Sequence, residues 1–320
     1  MDSNIKISVL MAVYNGEKYI REAIDSILSQ TMRDFEFIIV NDGSKDRTLE
    51  IIESYTDKRI VIVNNKKNLG LIDSLNKGLE LARGKYIARL DHDDIAIPYR
   101  LYTQYSFMEN HPYIDVVGSW TECIDPNGKS VKISRNVTDP ILIKYEFIFN
   151  NVMLHSSIFF KTDLVRKNGG YSKEFIHSED YEMYSNPQRE LRCANIPEVL
   201  FKLRLHENSI TGSVDTQPLV YINAINIVYR NMSKYIKISR PEFDELTQIL
   251  IIKKPDSTTS FKNFFKALKA LRAITDSFIK TNHIDEHEKD LVLRSYQGKR
   301  KMIINHFLIG KYRLIFKKNG

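Results

Sequence analysis

An α/β fold with a mostly parallel, doubly wound sheet and a helical C-terminal region is the architecture this 320-residue chain predicts. Three observations point to it. Short apolar runs alternate with helical periodicity through the first third, polar residues gather where each run ends, and the pattern turns wholly helical from Pro218. The length suits two domains, expected at 1–214 and 215–320. A composition 42% apolar and 27% charged excludes disordered, fibrous and disulfide-scaffold classes. Cys123 and Cys193 stand far apart with no CxxC spacing, which fits a reducing compartment. No apolar run approaches the ~18 residues of a membrane span. Met1-Asp2-Ser3-Asn4 carries an acid and leads straight into a strand, so a signal peptide is not expected. The location to expect is cytoplasmic, with peripheral attachment at the inner membrane face left open.

The elements follow in order. Ile5–Val13 alternates and then becomes wholly apolar, as a buried strand does, and Asn15-Gly16 breaks it. Ile20, Ala23, Ile24, Ile27 and Leu28 then repeat at helical spacing. Phe35–Val40 is a second strand, closed by Asn41-Asp42-Gly43-Ser44, which is both a turn and a helix-start signal. A helix through Leu49, Ile51, Ile52 and Tyr55 leads to a strand at Ile60–Val63. Asn68-Leu69-Gly70 opens a helix with Leu71, Leu75 and Leu79 on one face, and Gly84 stops it before a fourth strand, Tyr86–Leu90. Strand–helix alternation at this rhythm implies right-handed β-α-β units. A helix at Pro98–Asn110 and a strand at Asp115–Thr121 come next, and less regular structure is expected to about Thr211.

Ligands of such sheets bind beyond the carboxyl ends of the strands. That rule singles out Tyr14-Asn15, Asn41-Asp42, Asn68 and Asp91-His92-Asp93-Asp94. Three carboxylates in four residues repel one another unless a cation is near, and hard oxygen ligands suit Mg²⁺ or Mn²⁺ held with a diphosphate. Residues two apart in an extended segment share a side, so Asp91 and Asp93 can reach one ion. The alternative is an acidic turn capping the helix at Pro98.

The ordered motifs resemble those of the inverting family-2 glycosyltransferases, over about residues 5–212. They are Met11-Ala12-Val13-Tyr14-Asn15 with Glu17; Val40-Asn41-Asp42-Gly43-Ser44 with Asp46 and Thr48; and Asn68-Leu69-Gly70 with Asn76 and Gly78. The acidic cluster with Pro98, Arg100 and Gln104 follows, then His155-Ser156-Ser157, Gly169-Gly170-Tyr171, Glu179-Asp180-Tyr181 and Arg204-Leu205-His206 with Ser209. The resemblance implies the nucleotide-diphospho-sugar transferase fold known as GT-A, with transfer of a sugar from a nucleotide-sugar, a UDP-sugar first, to a hydroxyl of a glycan or lipid-linked acceptor. It also implies a divalent metal, Mn²⁺ or Mg²⁺, and a place in bacterial surface-polysaccharide synthesis.

Carried over residue by residue, the resemblance puts Ala12, Tyr14 and Glu17 around the base and ribose. Asp42 would accept from the base, or serve as a helix cap. Asn68 would lie beside the base, or form a plain turn, with Gly70 admitting close backbone approach. Asp93 is the implied metal ligand, with Asp91 assisting or binding ribose, Asp94 behind them, and His206 completing the metal shell or closing over the diphosphate. Arg204 would offset phosphate charge. Asp180 is the implied base for the acceptor hydroxyl, with Glu179 supporting it or meeting the acceptor; the competing role for this pair is a helix start capped by Ser178. His155 would line the sugar or acceptor wall, or be a satisfied core histidine. Two departures stand out: Leu75 replaces an arginine common in relatives, and Pro187 ends the helix after Glu179-Asp180 early.

Charge is uneven along the chain. Residues 1–214 carry 27 Lys+Arg against 30 Asp+Glu, and residues 215–320 carry 20 against 10. Basic residues between aliphatics and aromatics from 299 to 318 suit an anionic membrane surface, or else form the solvated face of an ordinary helical unit. Nucleic acid is not expected, since no known binding module appears. Two rival readings are a nucleotidyltransferase, which would need a Gly-rich basic loop where Ala12–Lys18 has one glycine, and an inactive membrane scaffold. A dinucleotide-binding dehydrogenase is excluded, because Tyr14-Asn15-Gly16-Glu17 is no GxGxxG.

Overall fold

The computed structural model describes residues 5–207, 217–251 and 260–317, with side chains described as far as 309 and none at 248. Ser209 and the expected domain boundary between residues 214 and 215 lie outside those residues. The chain falls into two compact units, Met1–Pro140 with Val152–Asn223, and Ile141–Asn151 with Ala224–Gly320.

In the first unit, strands β1 (Ile7–Val13), β2 (Phe35–Asn41), β3 (Ile60–Asn64) and β4 (Tyr86–Arg89) pair in parallel in the order β3-β2-β1-β4. Helices α1 (Ile20–Leu28), α2 (Thr48–Glu53) and α3 (Leu71–Leu81) connect them. Every residue of β1 and β2 is buried, which fits the apolar runs at Val9–Val13 and Phe37–Val40, and the polar Ser8 and Glu36 buried with them hydrogen-bond each other at 2.6 Å. Gly78 lets α3 lie against β1, since a Cβ there would stand 2.2 Å from Leu10 Cδ1. The connections from β1 through β3 run one way across the sheet, whereas β4 lies on the other side of β1. The reversal opens a crevice at the carboxyl ends of β1 and β4, where α/β sheets take their ligands.

Beyond β4 come β5 (Ile95–Ala96), α4 (Arg100–Asn110), β6 (Val116–Ile124) and β7 (Ser130–Ser134). After α5 (Pro140–Glu146) follow β8 (Phe159–Lys161), α6 (Thr162–Lys167), α7 (Glu179–Ser185) and β9 (Cys193–Arg204). The sheet continues β4-β8-β6-β9-β5, with β8 antiparallel to both neighbours and β6 parallel to β9. Where sequence reading expected irregular structure, β9 is a twelve-residue strand. Pro197, which cannot donate to a ladder, hid it; the strand accommodates the proline by a register shift opposite Ser119–Thr121.

The second unit contains α9 (Arg240–Leu250), α10 (Phe261–Asn282), α11 (Glu286–Lys317) and, from Ala224, the end of α8 (Gln217–Ser233). Phe264, Ala267, Leu271, Ile274 and Phe278 repeat at helical spacing along α10 and are buried. Glu146 accepts from both Ser295 and Lys299 at 2.5 Å, so Lys299 turns inward with its side chain 12% exposed. Among the described residues no helix is long and apolar enough to cross a membrane.

Candidate active site

The ends of β1 and β2 are stitched into one surface. Asn15, in the left-handed region at φ 52°, donates its amide to Ser44 Oγ at 3.0 Å and accepts from the Lys45 amide at 2.8 Å. Asparagine is among the few residues that adopt this conformation readily. The Gly16 amide donates to Thr48 Oγ1, and the Glu17 carboxylate accepts from the Arg47 amide at 3.0 Å. Glu17, expected in the ribose pocket, thus has one oxygen committed to the neighbouring loop. Tyr14 is 38% exposed at the rim, while Ala12 is buried below it.

Asp42 is buried and accepts three hydrogen bonds at 2.8 Å, from the Leu69 and Gly70 amides and from Asn65 Nδ2. A carboxylate has about four acceptor sites, so roughly one remains for a ligand. Its main work inside the protein is to hold the Asn68–Gly70 turn, not to cap a helix. Asn68 is exposed beside it, and its Oδ1 accepts from the Gly70 amide at 3.0 Å. Gly70 has φ 92°, which excludes most other residues.

At the end of β4 the acids part company. Asp93 Oδ2 meets His206 Nε2 at 2.7 Å, both side chains about 15% exposed. Asp91, expected to share a metal with Asp93, instead accepts from the fully buried Arg89 through one oxygen and from Ser156 Oγ through the other. Burial opposes the charge on Asp91, but the Arg89 guanidinium and the Ser156 hydroxyl, among its neighbours, together hold the carboxyl well below the ordinary range. Among the described residues, no three Asp, Glu, His or Cys side chains converge as a metal site. Of Asp91, Asp93 and His206, the structure brings Asp93 and His206 within hydrogen-bond distance, while Asp91 faces Arg89 and Ser156. Asp94 is buried, accepts from the Arg204 amide at 2.9 Å, and leaves Oδ2 without a protein partner; burial and its two acidic neighbours push its pKa well up.

Arg204 meets the acidic turn with its side chain. Its guanidinium donates to the Asp93 carbonyl at 3.0 Å, to the Pro126 carbonyl and to Glu22, and it lies 4.6 Å over the Tyr19 ring. Buried at 3% exposure, it fastens the end of β9 to the acidic turn and so positions Asp93.

A second acidic group comes from α7. Glu179 is 4% exposed with Oε2 unpartnered, and burial, with Asp180 adding, raises its pKa to about 7. Asp180 is half-buried beside it. Ser178 is the residue before the helix, but its hydroxyl donates to the Val220 carbonyl rather than capping, so Glu179 and Asp180 are not part of a side-chain cap. Tyr171 links this group to the β4 turn: it feels the charges of Arg89, Glu179, Asp180 and Asp91, and its hydroxyl shares a 3.0 Å hydrogen bond with His155 Nε2. Burial, reinforced by Arg89, drives the His155 pKa down to about 3, so this imidazole is neutral.

Three residues had roles that sequence reading did not assign. Asn76 clamps Tyr171 by two backbone hydrogen bonds of 2.9 Å, one given and one received. Tyr184 is buried with its hydroxyl unpartnered. Arg89 is buried between the acids, with Nε and Nη1 unpartnered. A signal existed for Arg89: it is the one charge inside an apolar strand and stands two residues before Asp91, on the same side.

The family model for glycosyl transferase family 2 matches residues 8–175, more than half of the chain. The chain belongs to glycosyl transferase family 2. It is 41% identical over 242 residues to the uncharacterized glycosyltransferase MJ1057 of Methanocaldococcus jannaschii, covering 72% of this chain and 81% of that one. The O-antigen biosynthesis glycosyltransferase WbnJ of Escherichia coli is 34% identical over 218 residues, covering 65% and 82%. Among solved structures, Staphylococcus aureus TarS (residues 1–349, in complex with UDP-GlcNAc) superposes with a TM-score of 0.60 at 20% identity, covering 97% of this chain and 92% of that one. This family-2 glycosyltransferase thus has the GT-A fold expected from its motifs, and the matched span runs from β1 through Tyr171.

Proposed function

We propose that this glycosyltransferase moves one sugar from a nucleoside-diphosphate sugar, a UDP-sugar first, to a hydroxyl of a glycan or lipid-linked acceptor, with inversion, in bacterial surface-polysaccharide synthesis. One observation carries the reading. Two acidic groups, Asp91–Asp94 with His206 and Glu179–Asp180, are joined electrostatically through Arg89 and Tyr171. The UDP-GlcNAc complex of TarS and the O-antigen biosynthesis enzyme WbnJ support donor class and pathway class.

The chemistry follows from charge and protons. In a single displacement the acceptor hydroxyl attacks the anomeric carbon as the diphosphate leaves from the opposite face, and a carboxylate takes the hydroxyl proton. Asp180 is assigned that proton. Glu179, with a pKa near 7, carries its own proton much of the time at neutral pH, which spares Asp180 a second negative charge. Asp42 and the stitched loops of β1 and β2 hold the nucleoside. The pair Asp93–His206 is a donor set suited to a divalent ion, since Mn²⁺ or Mg²⁺ commonly takes one or two protein ligands and completes its shell with phosphate oxygens and water. Such an ion supplies charge neutralisation to the departing diphosphate. Arg204 keeps Asp93 in place, and neutral His155 with Tyr171 walls the sugar side without adding charge.

Asp180→Asn tests the assignment. Transfer is expected to fall at least about a thousandfold while UDP binding in Mn²⁺, followed by calorimetry, stays unchanged. Unaltered turnover would remove Asp180 as the base, and an NMR-assigned product of retained anomeric configuration would overturn single displacement.

A further inference from the structure

We infer that the second unit carries an interfacial docking surface for an anionic membrane, formed by the start of α10 and the part of α11 around Phe307. Phe261 and Phe265 lie one helical turn apart on α10 and are 62% and 61% exposed. On α11, Leu308 and Ile309 are 59% and 50% exposed. Phe307, next to Leu308 in the chain, stacks on Phe264 at 4.1 Å and meets Phe261 edge-on at 5.0 Å, so the start of α10 and this part of α11 lie side by side. Large apolar side chains grouped this way at such exposure mark a contact surface rather than scattered surface hydrophobics.

Charge decides the occupant. Segments 257–275 and 291–320 contain no Asp or Glu. Exposed cations flank the aromatic pair and its neighbours: Lys262 and Lys269 on α10, Arg300 and Lys301 on α11. A face that is apolar at its centre and mainly basic around it, with Glu245 of α9 paired to Lys266 at 3.5 Å as the acid recorded beside it, matches headgroups carrying negative charge over an acyl layer. A protein partner or a second copy of this chain would gain from mixed charge and finds none in these two segments. The basic stretch 299–318 was expected to serve this purpose. Lys299 instead pairs with Glu146, and the side chains of Lys311, Arg313, Lys317 and Lys318 lie outside the described residues. The aromatic anchors come from α10.

The test uses the full chain and sedimentation with vesicles of phosphatidylcholine alone or mixed with phosphatidylglycerol. Binding is expected to the anionic vesicles, to weaken as salt rises, and to be absent from neutral ones. Phe261→Gln with Phe265→Gln should lower vesicle affinity by more than about tenfold, and Lys262→Gln with Lys301→Gln by about fivefold for each charge removed. Both variants alter exposed helix positions, and their turnover of a soluble donor with a water-soluble acceptor should match the parent. Equal binding to neutral and anionic vesicles, or none to either, overturns the inference. So does a concentration-dependent dimer, seen by sedimentation velocity, that the phenylalanine substitutions dissolve while vesicle binding persists. None of these results depends on the assignment of Asp180, so the two proposals fail separately.

Discussion

His206 Nε2 and Asp93 Oδ2, 113 positions apart in the chain, stand 2.7 Å from each other, the end of β9 folded back onto the turn that follows β4. Arg204 fixes this closure by bonding the Asp93 carbonyl with its side chain and Asp94 with its amide. His206→Ala should therefore raise the Mn²⁺ concentration needed for half-maximal transfer by about 10- to 100-fold, the usual cost of losing a group that supports a metal ligand. A manganese titration of initial rates checks it. An unshifted requirement would separate His206 from the metal.

Asp42 offers a different kind of test, because its carboxylate accepts from three N–H groups at once. Asp42→Asn replaces one oxygen by a donor, so at least one of those N–H groups then faces another N–H. Loss of a buried hydrogen bond of this type costs about 1–3 kcal/mol. The melting temperature should drop, and UDP affinity measured by calorimetry should weaken at least about tenfold as the Asn68–Gly70 turn loosens.

The buried acid on α7 predicts a pH dependence of stability. Burial raises Glu179 from 4.5 to about 7 in the folded protein. A carboxyl whose folded pKa is raised imposes no penalty below its unfolded value. The fold loses stability as pH rises from about 4.5 through about 7, where the unfolded chain ionises and the folded one resists. The full effect is on the order of 3 kcal/mol. Glu179→Gln removes the titrating group, so denaturation curves of variant and parent should diverge between those pH values and run parallel above them. Curves that stay parallel throughout would contradict the burial argument.

Arg89 is fully buried, and its charge meets Asp91 directly. Arg89→Met leaves that carboxylate without its cation and should cost about 3–5 kcal/mol, as breaking a buried pair does. Arg89→Lys keeps the charge but loses the planar fork, and should recover only part of the loss in chemical denaturation. The double variant Arg89→Met with Asp91→Asn should be more stable than Arg89→Met alone.

For Asn76, the expected defect is in geometry. Asn76→Ala removes both hydrogen bonds to the Tyr171 backbone. Turnover should fall about tenfold or more with a smaller change in donor KM, because a misplaced wall affects orientation more than ground-state binding. Steady-state kinetics across donor concentrations resolves the two.

Much of this protein is legible from local order in its chain. The period of apolar residues marks β1 to β4 and their helices, because a strand buried on both faces needs an unbroken run and a helix needs a stripe. The reversal of strand order then directs attention to the polar residues after those runs, where Asp42, Asn68 and Asp91–Asp94 stand. Local pattern carries no information about which distant groups meet. The strand β9 went unrecognised because Pro197 interrupts its pattern, and only pairing with β6 shows that a bulge absorbs it. The motif around Arg204 does not reveal that Glu22, 182 positions away, meets its guanidinium. Asp91 and Asp93 share a side in an extended chain, yet Arg89 draws one and His206 the other. The reason is physical: residue type and spacing determine what a segment can form by itself, whereas the partner of a buried charge depends on which charges the rest of the chain buries beside it.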